Sequence, residues 1–559
     1  MREIVGVGVG RGAVTGPVVR AHPVAHVPAD LPVPDDLSAA AARVEAAFAE
    51  VAATLQARAD AATGALSAVL GATASMAGDR TMCQQVVARV QERTAPSVAV
   101  HQVVGQFVEM FRAAGGYMAE RATDLLSVRD RVVALLEGLP EPGVPALEGP
   151  AVVVAEDLSP ADTAVLDLSK VLAIVIEKGG PTSHTAIIAG QLGLPCIVRA
   201  TGAHALVDGE EIAVDAARGV VTIAPDSAVR AAVDARRTAL ASLAESTADG
   251  ATSDGHGIQL LANIGTAQDA ERLVGSSVQG VGLFRTEVLF LDASTAPSED
   301  EQSAVYARAL RALGDRKVVI RTLDAGADKP LAFVTQPGEE NPALGVRGYR
   351  LVRTAPQLLQ TQLASIARAA ADTGGDPWVM APMITTADEA RDFAVLARGA
   401  GISRVGVMIE VPAVALRAHD VLAEVDFVSI GTNDLAQYTM ATDRLRGELL
   451  DLLDMWQPAV LDLVATVARA GVQAGKPVGV CGESAADPVM ALVLAGLGIT
   501  SLSMAPAAIP SVRFALGTHS LATCRAVADA ARTARSAADA YGAALSLVEP
   551  AVREVLALA

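Results

Sequence analysis

Residues 404–435, RVGVMIEVPAVALRAHDVLAEVDFVSIGTNDL, indicate the architecture of the second half of this chain. Two short apolar runs, 405–409 and 427–430, flank a segment whose apolar residues have helical spacing. Continuous apolar runs are typical of parallel strands that are buried on both faces, with helices between them. The stretch therefore predicts one strand–helix–strand unit.

Eight strand candidates follow beyond residue 257; they are mostly continuous apolar runs, and helical segments separate them. Several of them recur at the spacing of one strand plus one helix. Eight such units predict a (β/α)8 barrel. The strand candidates are IQLLANIG, GVGLFRTE, KVVIRTLDAG, WVMAPMI, RVGVMIEVP, FVSIGTNDL, PVGVCGE and SLSMAP.

The first half of the chain has a different order of predicted strands and helices. Residues 1–20 alternate small and apolar residues, which indicates a strand or hairpin, and a long helical pattern follows. Short apolar strands then alternate with turns, before a helical segment runs into the linker-like TADGATSDGHG. The fold class is a multidomain α/β protein. We expect an α/β domain of 1–20 plus 146–225, a helical subdomain of 21–145 inserted into it, a linker helix and hinge at 226–257, and the barrel at 258–559.

Charge and composition restrict the function. Of the 559 residues, 44 are Lys or Arg and 63 are Asp or Glu, so the formal net charge is −19. Such a surface repels nucleic-acid backbones and anionic lipids, and the content of 9 Phe, 5 Tyr and 2 Trp is too low for base stacking. The composition argues against a nucleic-acid or membrane-surface protein.

Compartment and membrane insertion can be judged from three features. The four cysteines are far apart and form no CxxC pair, and the N-terminus shows no secretory signal. The uncharged stretch 488–512 is long enough to span a bilayer, but glycines and prolines interrupt it. We expect a buried helix, turn and strand there, and a cytoplasmic protein without membrane insertion.

Polar residues gather at the expected carboxyl ends of the barrel strands, where such barrels carry their active sites. Arg285 and Arg321 end two strands, and Arg347 and Arg444 lie in loops on the same side. Guanidinium groups bind small phosphates or carboxylates through paired hydrogen bonds. The alternative is that these arginines pair with carboxylates at the rim of the barrel.

Glu410 and Asp434 end consecutive strands, so their carboxylates should project together. Without a His or Cys companion they suit a hard cation such as Mg²⁺, although arginines could instead neutralise the pair. Cys481 follows another strand; buried cysteines are usually inert, but a thiol at the barrel mouth could donate a proton to carbon or act as a nucleophile.

A second cluster lies in GGPTSHTAIIAGQLG, residues 179–193. A glycine pair and Pro181 turn the chain, and Thr182, Ser183 and His184 open a helix. Free N–H groups and the helix dipole favour a negative charge there. Neutral imidazole is nucleophilic, so His184 can accept a phosphoryl group, with Thr182 and Ser183 orienting the ring.

At these residues a resemblance becomes specific. GGPTSHTAIIA resembles the phosphohistidine motif of phosphoenolpyruvate-utilising enzymes. LFRTE, RTLDAGADKP, MIEVP, GTNDLAQYTMATDR and GVCGES resemble, in order, the barrel motifs of the same superfamily. The match covers nearly the whole chain. Within the superfamily, the chain is most similar to the enzyme I family of the bacterial phosphoenolpyruvate:sugar phosphotransferase system.

The resemblance implies roles for these residues. His184 would carry the phosphoryl group on Nε2, and Cys481 would protonate the enolate carbon to give pyruvate. Glu410 and Asp434 would bind Mg²⁺. The helical insertion would dock the small carrier protein HPr, and the barrel would form a homodimer. Phosphoenolpyruvate would be bound by Arg285, Arg321, Arg347, Asn433 and Arg444.

Two alternatives stay open at this point. A phosphoenolpyruvate synthase or pyruvate phosphate dikinase would need a large ATP-binding domain ahead of His184, where only 183 residues precede it. A regulatory phosphoprotein that senses phosphoenolpyruvate is suggested by GATASMAGDRTM, residues 71–82, which looks smaller and less acidic than a carrier-docking segment of the family.

Overall fold

The structure, a computed structural model, divides into two compact units, Met1–Arg237 and Thr238–Ala559. It describes residues 2–558 apart from 11, 29, 62–64, 115–120, 159–165, 181–184, 187–188, 191–192, 292, 294, 327–330, 332, 335–338 and 445–446.

An eight-stranded sheet organises the first unit, in the order β1-β8-β7-β3-β4-β5-β6-β2. Strand β3 pairs parallel with β4 and antiparallel with β7, so the N-terminal segment is built into the same sheet as the strands after residue 150. The strands are β1 (Arg2–Val5), β2 (Val7–Val9), β3 (Ala13–Arg20), β4 (Ala151–Ala155), β5 (Val171–Ile176), β6 (Cys196–Val198), β7 (Glu211–Asp215) and β8 (Val220–Ile223).

The N-terminal segment was expected to be one strand or a hairpin, and this is wrong. It forms three strands that pair elsewhere: β1 with β8, and β2 with β6 at the other end of the sheet. Gly6 alone separates β1 from β2, so it connects the two edge strands of the sheet. A Cβ atom at Gly6 would lie 2.5 Å from the carbonyl oxygen of Val198, which explains why a residue without a side chain is required there.

Alternate residues of the central strands supply two hydrophobic layers, as the pleat of a sheet dictates. Val152 and Val154 of β4 belong to the core on one face, whereas Val153 belongs to the core on the other. Both faces of the sheet are therefore covered.

Residues between β3 and β4 form a helical bundle with a hydrophobic core of its own. In α1, the buried residues Val44, Phe48, Val51 and Leu55 repeat every three or four positions and place one face of the helix in that core. The helices are α1 (Leu37–Ala61), α2 (Ala65–Ala77), α3 (Arg80–Gln91), α4 (Pro96–Ala114) and α5 (Ala122–Glu137).

Helix α6 (Ser227–Ala244) crosses the division between the units. Near its start, Val233 packs with Ala13 and Ala213 of the first unit. Near its end, Leu240 and Leu243 pack against the hydrophobic core of the second unit. Each part of the helix therefore belongs to the core on its own side.

Eight parallel strands close into a barrel in the second unit, in the order β10-β11-β12-β13-β14-β15-β16-β9. The predicted (β/α)8 barrel is confirmed. The strands are β9 (Gln259–Ile264), β10 (Gly280–Arg285), β11 (Lys317–Arg321), β12 (Trp378–Ala381), β13 (Arg404–Ile409), β14 (Phe427–Ile430), β15 (Val478–Val480) and β16 (Ser501–Met504).

Helices cover the outside of the barrel, and their apolar faces merge with the outward residues of the strands into one large core. The helices are α7 (Ala267–Arg272), α8 (Val288–Leu291), α9 (Glu299–Leu313), α10 (Pro356–Thr373), α11 (Ala387–Gly399), α12 (Pro412–Leu416), α13 (Ala418–Glu424), α14 (Thr432–Thr439), α15 (Pro458–Ala474), α16 (Pro488–Leu497), α17 (Ile509–Thr518), α18 (Leu521–Arg532), α19 (Ala537–Ser546) and α20 (Pro550–Leu556).

The uncharged stretch 488–512 contains the buried helix α16, a turn at Gly498 and the buried strand β16. The expectation of a buried helix, turn and strand is confirmed. Across the described residues, no helix combines the length and the apolar character needed to cross a membrane.

Candidate active site

The carboxyl ends of the barrel strands bring together the polar residues that the sequence placed there. Arg285 and Arg321 are the last residues of β10 and β11, and Glu410 and Cys481 follow directly after β13 and β15. Asp434 lies in the first turn of α14, immediately beyond β14. Parallel register places all of these ends on one side of the barrel.

Arg321 is held by two carboxylates. Its guanidinium donates a 2.9 Å hydrogen bond to Glu287 and lies 3.3 Å from an oxygen of Asp324. Although burial works against the charge, Glu287 and Asp324 raise the pKa of Arg321 above its ordinary value. Its Nε atom is buried and has no hydrogen-bond partner among the described residues. The guanidinium is thus fixed, and one donor remains available.

Arg347 lies between two carboxylates and is completely buried. It donates paired hydrogen bonds of 3.0 and 3.2 Å to Asp324, and one of 3.2 Å to Asp434. The hydroxyl of Tyr438 accepts a further hydrogen bond of 3.4 Å from Arg347 and donates one to the carbonyl of Ala343. Tyr438 thereby joins helix α14 to the loop that carries Arg347.

The other candidate binding residues also lie at the ends of the barrel strands or just beyond them. Arg444, partly exposed, has a guanidinium nitrogen 3.6 Å from the second oxygen of Asp434. Arg285 is exposed at the end of β10. Asn433 uses its side-chain oxygen to accept a 3.1 Å hydrogen bond from the backbone N–H of Glu483. The structure therefore places all four arginines and Asn433 at the barrel mouth, with at least three arginines paired to carboxylates.

Glu410 is buried, and no described lysine or arginine forms an ion pair with it. Burial, followed by the charges of Asp434 and Asp324, raises the pKa of Glu410 to about 8. One oxygen accepts a 2.6 Å hydrogen bond from the backbone N–H of Met383. Met383 has a φ of +60°, a strained conformation for a residue with a side chain, which aims its N–H at this carboxylate.

Cys481 is almost fully buried, and its thiol points back toward the carbonyl of Ile430 at 3.6 Å. Burial raises the pKa of the Cys481 thiol, while a hydrogen bond from Ser429 and the charge of Arg321 act in the opposite direction. The net result is a protonated thiol at neutral pH. Such a thiol can donate a proton but is a poor nucleophile.

Metal binding can be judged from the donor set. Within the described part of the chain, no group of three or more His, Cys, Asp or Glu side chains is arranged to hold a metal ion. Glu410 and Asp434 offer two carboxylates, and Asp434 is already paired with Arg347 and Arg444. Two carboxylates are a common protein contribution to a Mg²⁺ site when substrate oxygens and water complete the shell.

The second cluster, Thr182, Ser183 and His184, lies outside the described residues. Its flanks are described. Gly179 has a φ of +78°, which marks the turn after β5, and Thr185 is buried with its hydroxyl donating a 3.3 Å hydrogen bond to the carbonyl of Leu158.

Sequence reasoning missed two residues of the mouth. Tyr438 follows Asp434 by four positions in GTNDLAQYTM, so the helical period could have placed both on one face. Asn263, near the end of β9, donates a 3.2 Å hydrogen bond from its side chain to the carbonyl of Cys481. No sequence signal distinguishes this asparagine from any other at the end of a strand.

Comparison with known proteins adds the family. Three family models match: the N-terminal segment of phosphoenolpyruvate-utilising enzymes over residues 5–121, their mobile domain over 147–219 and their phosphoenolpyruvate-binding domain over 241–520. The chain belongs to the phosphoenolpyruvate-utilising enzymes. Every residue of the barrel mouth lies within the segment that matches the phosphoenolpyruvate-binding domain of this family, and His184 lies within the segment that matches its mobile domain.

Similar members of the family cover nearly the whole chain. The phosphoenolpyruvate-protein phosphotransferase of Streptomyces coelicolor is 46% identical over 97% of this chain and 98% of its own length. Proteins of the same name from Haloferax volcanii and Geobacillus stearothermophilus are 38% and 36% identical, over 83% and 86% of this chain and 84% and 86% of their own lengths. Among phosphoenolpyruvate-utilising enzymes, the chain therefore groups with the phosphoenolpyruvate-protein phosphotransferases.

Proposed function

We propose that the protein takes the phosphoryl group of phosphoenolpyruvate onto His184, releases pyruvate and passes the phosphoryl group to the carrier protein HPr. The observation that carries this proposal is the 46% identity to a phosphoenolpyruvate-protein phosphotransferase over nearly the full length of both chains. The arginine-rich mouth within the matching phosphoenolpyruvate-binding segment supports it.

Binding of phosphoenolpyruvate is assigned to Arg285, Arg321, Arg347, Asn433 and Arg444. The unpaired Nε of Arg321 supports this, because a buried donor without a partner is costly unless a ligand accepts its hydrogen bond. Arg347 and Arg444 are tied to Asp434, so they would exchange this partner when a ligand oxygen arrives.

Mg²⁺ fits the donor set, with Glu410 and Asp434 as its ligands. Four arginines at the mouth face four carboxylates, those of Glu287, Asp324, Glu410 and Asp434, so the formal charges cancel. A divalent cation would make the site positive enough for a trianionic substrate, and when bound it stabilises negative charge on substrate oxygens. Burial and the nearby carboxylates of Asp434 and Asp324 raise the pKa of Glu410, and a bound cation would offset this cost of charging it.

The residues of this chain supply the rest of the chemistry. Departure of the phosphoryl group leaves an enolate, whose charge Arg321 and the neighbouring arginines stabilise from fixed positions. Cys481 is protonated because of its burial and donates its proton to the enolate carbon, giving pyruvate. His184 accepts the phosphoryl group on Nε2, with Thr182 and Ser183 orienting the ring.

Transfer to HPr requires movement, since His184 and the barrel mouth belong to different compact units. We assign the swivel to residues 226–257 and the docking of HPr to the helical subdomain, 21–145. The α/β domain of 1–20 plus 146–225 carries His184, and the barrel, 258–559, forms the homodimer. The resemblance to enzyme I supports these assignments and a cytoplasmic location.

The test is autophosphorylation with phosphoenolpyruvate labelled in its phosphoryl group, followed by mapping of the modified residue. We expect acid-labile label on His184 and none in the His184→Ala variant. Label that survives on another residue in that variant would refute the assignment. Addition of HPr should remove the label; a phosphorylated protein that never transfers to HPr would favour a phosphoenolpyruvate-sensing regulator. Formation of phosphoenolpyruvate from ATP and pyruvate would indicate a synthase or dikinase.

A further inference from the structure

The inside of the barrel differs between its two sides. On the side of β10 to β13, Leu283, Val319, Met380 and Met408 form an apolar cluster with Cys481. On the side of β14 to β16, Phe427 also belongs to this cluster, but Ser429, Gly479, Ser501 and Ser503 stand where large residues usually fill such barrels. Buried hydroxyls cost free energy unless they have partners. Ser503 donates to Ala262 and Asn263, so the hydroxyls of this row of serines that call for an explanation are those of Ser429 and Ser501.

A small cavity lies along the row of serines. It has a volume of about 10 Å³, which is room for one water molecule. Ser429, Ser501, Ser503 and Lys317 are among the residues that line it. A Cβ atom on Gly479 would lie 2.6 Å from the hydroxyl of Ser501 and 3.7 Å from that of Ser429, so this glycine keeps the space between the two hydroxyls open.

The upper end of the row is Cys481. Cys481 is only 2% exposed, so solvent does not reach the thiol freely. The hydroxyl of Ser429 lines the cavity and lowers the pKa of the Cys481 thiol, so Ser429 is the group between the thiol and the cavity. A proton that Cys481 donates toward the barrel mouth must be replaced. The row of hydroxyls could deliver the new proton from the amino-terminal end of the barrel.

The lower end is Lys317, the first residue of β11 and partly exposed at the amino-terminal end of the barrel. Its ammonium nitrogen lies 3.9 Å from the centre of the Trp378 ring. Burial lowers the pKa of Lys317 to about 8, so the group can lose and regain a proton near neutral pH. An amine of this kind is suited to exchange protons between solvent and the cavity.

We propose that Ser429, Ser501 and the cavity water form a proton path through the barrel core, from Lys317 to Cys481, which restores the thiol after each turnover. The proposal rests on the proposed function, in which Cys481 protonates the enolate carbon.

The transfers balance as follows. The S–H bond of Cys481 breaks as a C–H bond forms on the enolate carbon, and the electron pair stays on sulfur as a thiolate. The thiolate takes the hydroxyl proton of Ser429, and each oxygen along the row takes one from the next. Lys317 gives the last proton and regains it from solvent water. One solvent proton is consumed for each pyruvate released.

The experiment measures two exchanges at once, without HPr. The protein is incubated with Mg²⁺, phosphoenolpyruvate and carbon-labelled pyruvate in D₂O. Carbon exchange into phosphoenolpyruvate can proceed while the thiolate simply returns the same proton, whereas deuterium enters pyruvate only after Cys481 exchanges with solvent. The ratio of deuterium incorporated to carbon exchanged therefore reports the proton path. Damage to the fold or to substrate binding lowers both deuterium incorporation and carbon exchange, and leaves their ratio unchanged.

We expect Gly479→Ala, which fills the space between the hydroxyls, and Ser429→Ala, which breaks the row, to lower this ratio at least fivefold. Ser365→Ala is the control, since Ser365 is equally buried but hydrogen-bonds within α10, outside the barrel interior. The His184→Ala variant gives the background of spontaneous deuterium uptake. An unchanged ratio in Ser429→Ala would overturn the path, even if Gly479→Ala fails to fold. Absence of carbon exchange in the unmodified protein would instead refute the proposed function.

Discussion

Asp324 connects two of the four arginines of the barrel mouth. It is completely buried, accepts paired hydrogen bonds from Arg347 and lies 3.3 Å from Arg321. Replacing it with asparagine would leave two buried guanidiniums short of one counter-charge. We expect Asp324→Asn to lower the free energy of unfolding of the barrel by about 3 kcal/mol, measured by denaturant titration.

The matched control is Asp462→Asn. Asp462 is more than half exposed and pairs with Arg532 at 2.8 Å on the surface of the same barrel. Solvent screens such a pair, so its loss should cost at most about 1 kcal/mol. Equal losses in the two variants would contradict the view that Asp324 supports the arginines of the mouth through buried ion pairs.

Cys481 offers a test of the proton donor. Because burial raises the pKa of its thiol, the group stays protonated at neutral pH and able to donate. A serine hydroxyl is a far weaker acid, so Cys481→Ser should slow pyruvate formation by about 10²- to 10⁴-fold, the range typical of general acid catalysis. Rapid-quench measurement of pyruvate checks the rate, and stabilisation by phosphoenolpyruvate checks that binding is retained.

Cys524→Ser is the corresponding control, because Cys524 is buried in the outer helix α18 and takes no part in the proposed chemistry. Its rate of pyruvate formation should equal that of the unmodified protein. A Cys481→Ser variant with the same rate would remove the thiol from the reaction.

Sequence reasoning reached some of these residues and not others. Arg321, Glu410 and Cys481 could be found because the strand ends of a parallel barrel lie at one opening, independent of the loop conformations. The pairing of Arg347 with Asp324 could not, since it depends on the path of the long segment between β11 and α10. Backbone conformation could not be predicted either, because nothing in the sequence around Met383 indicates a φ of +60°.

Among the elements, the eight barrel strands were predictable because most of them are continuous apolar runs between helices. The three N-terminal strands were not. Strands β1 and β2 are four and three residues long, and short strands carry too little periodic pattern to reveal their partners. Their pairing with β8 and β6 is fixed by contacts with residues far away in the sequence.

Strand β11 begins with Lys317, and its burial makes a prediction about pH. The pKa of Lys317 is about 8 in the folded state, compared with 10.5 in the unfolded chain. Burial of the charged amine therefore lowers the free energy of unfolding below pH 8. Between pH 8 and 10.5 the unfolded chain binds more protons, and stability should rise with pH. Interaction with the Trp378 ring offsets part of the cost.

Lys317→Met should therefore raise the free energy of unfolding of the barrel by about 1–2 kcal/mol at pH 7, a gain that fades toward pH 10.5. Denaturant titrations at several pH values measure it. Lys178→Met is the control, because Lys178 is exposed in the first unit and its loss should leave the pH profile of the barrel unchanged. A gain independent of pH would mean that the methionine packs better, and not that a charge was removed.

On the scale of the whole molecule, two units with separate hydrophobic cores should unfold in two transitions. The net charge of −19 also describes the molecule as a whole and not the barrel mouth, where arginines and carboxylates balance. A chain that repels anions at long range can therefore bind one locally, provided that Mg²⁺ supplies the missing positive charge.

Ligand binding distinguishes the two units. All of the proposed phosphoenolpyruvate and Mg²⁺ residues lie in the second unit, so the two ligands together should stabilise the barrel transition alone, by about 2.7 kcal/mol at a hundred times the dissociation constant. His184→Ala should keep this shift, because its residue lies in the first unit. Glu410→Ala, or a chelator, should abolish the dependence on Mg²⁺. A shift of the first transition instead, or one that is indifferent to the metal, would place the binding site elsewhere, and thermal scans that follow both transitions decide between these outcomes.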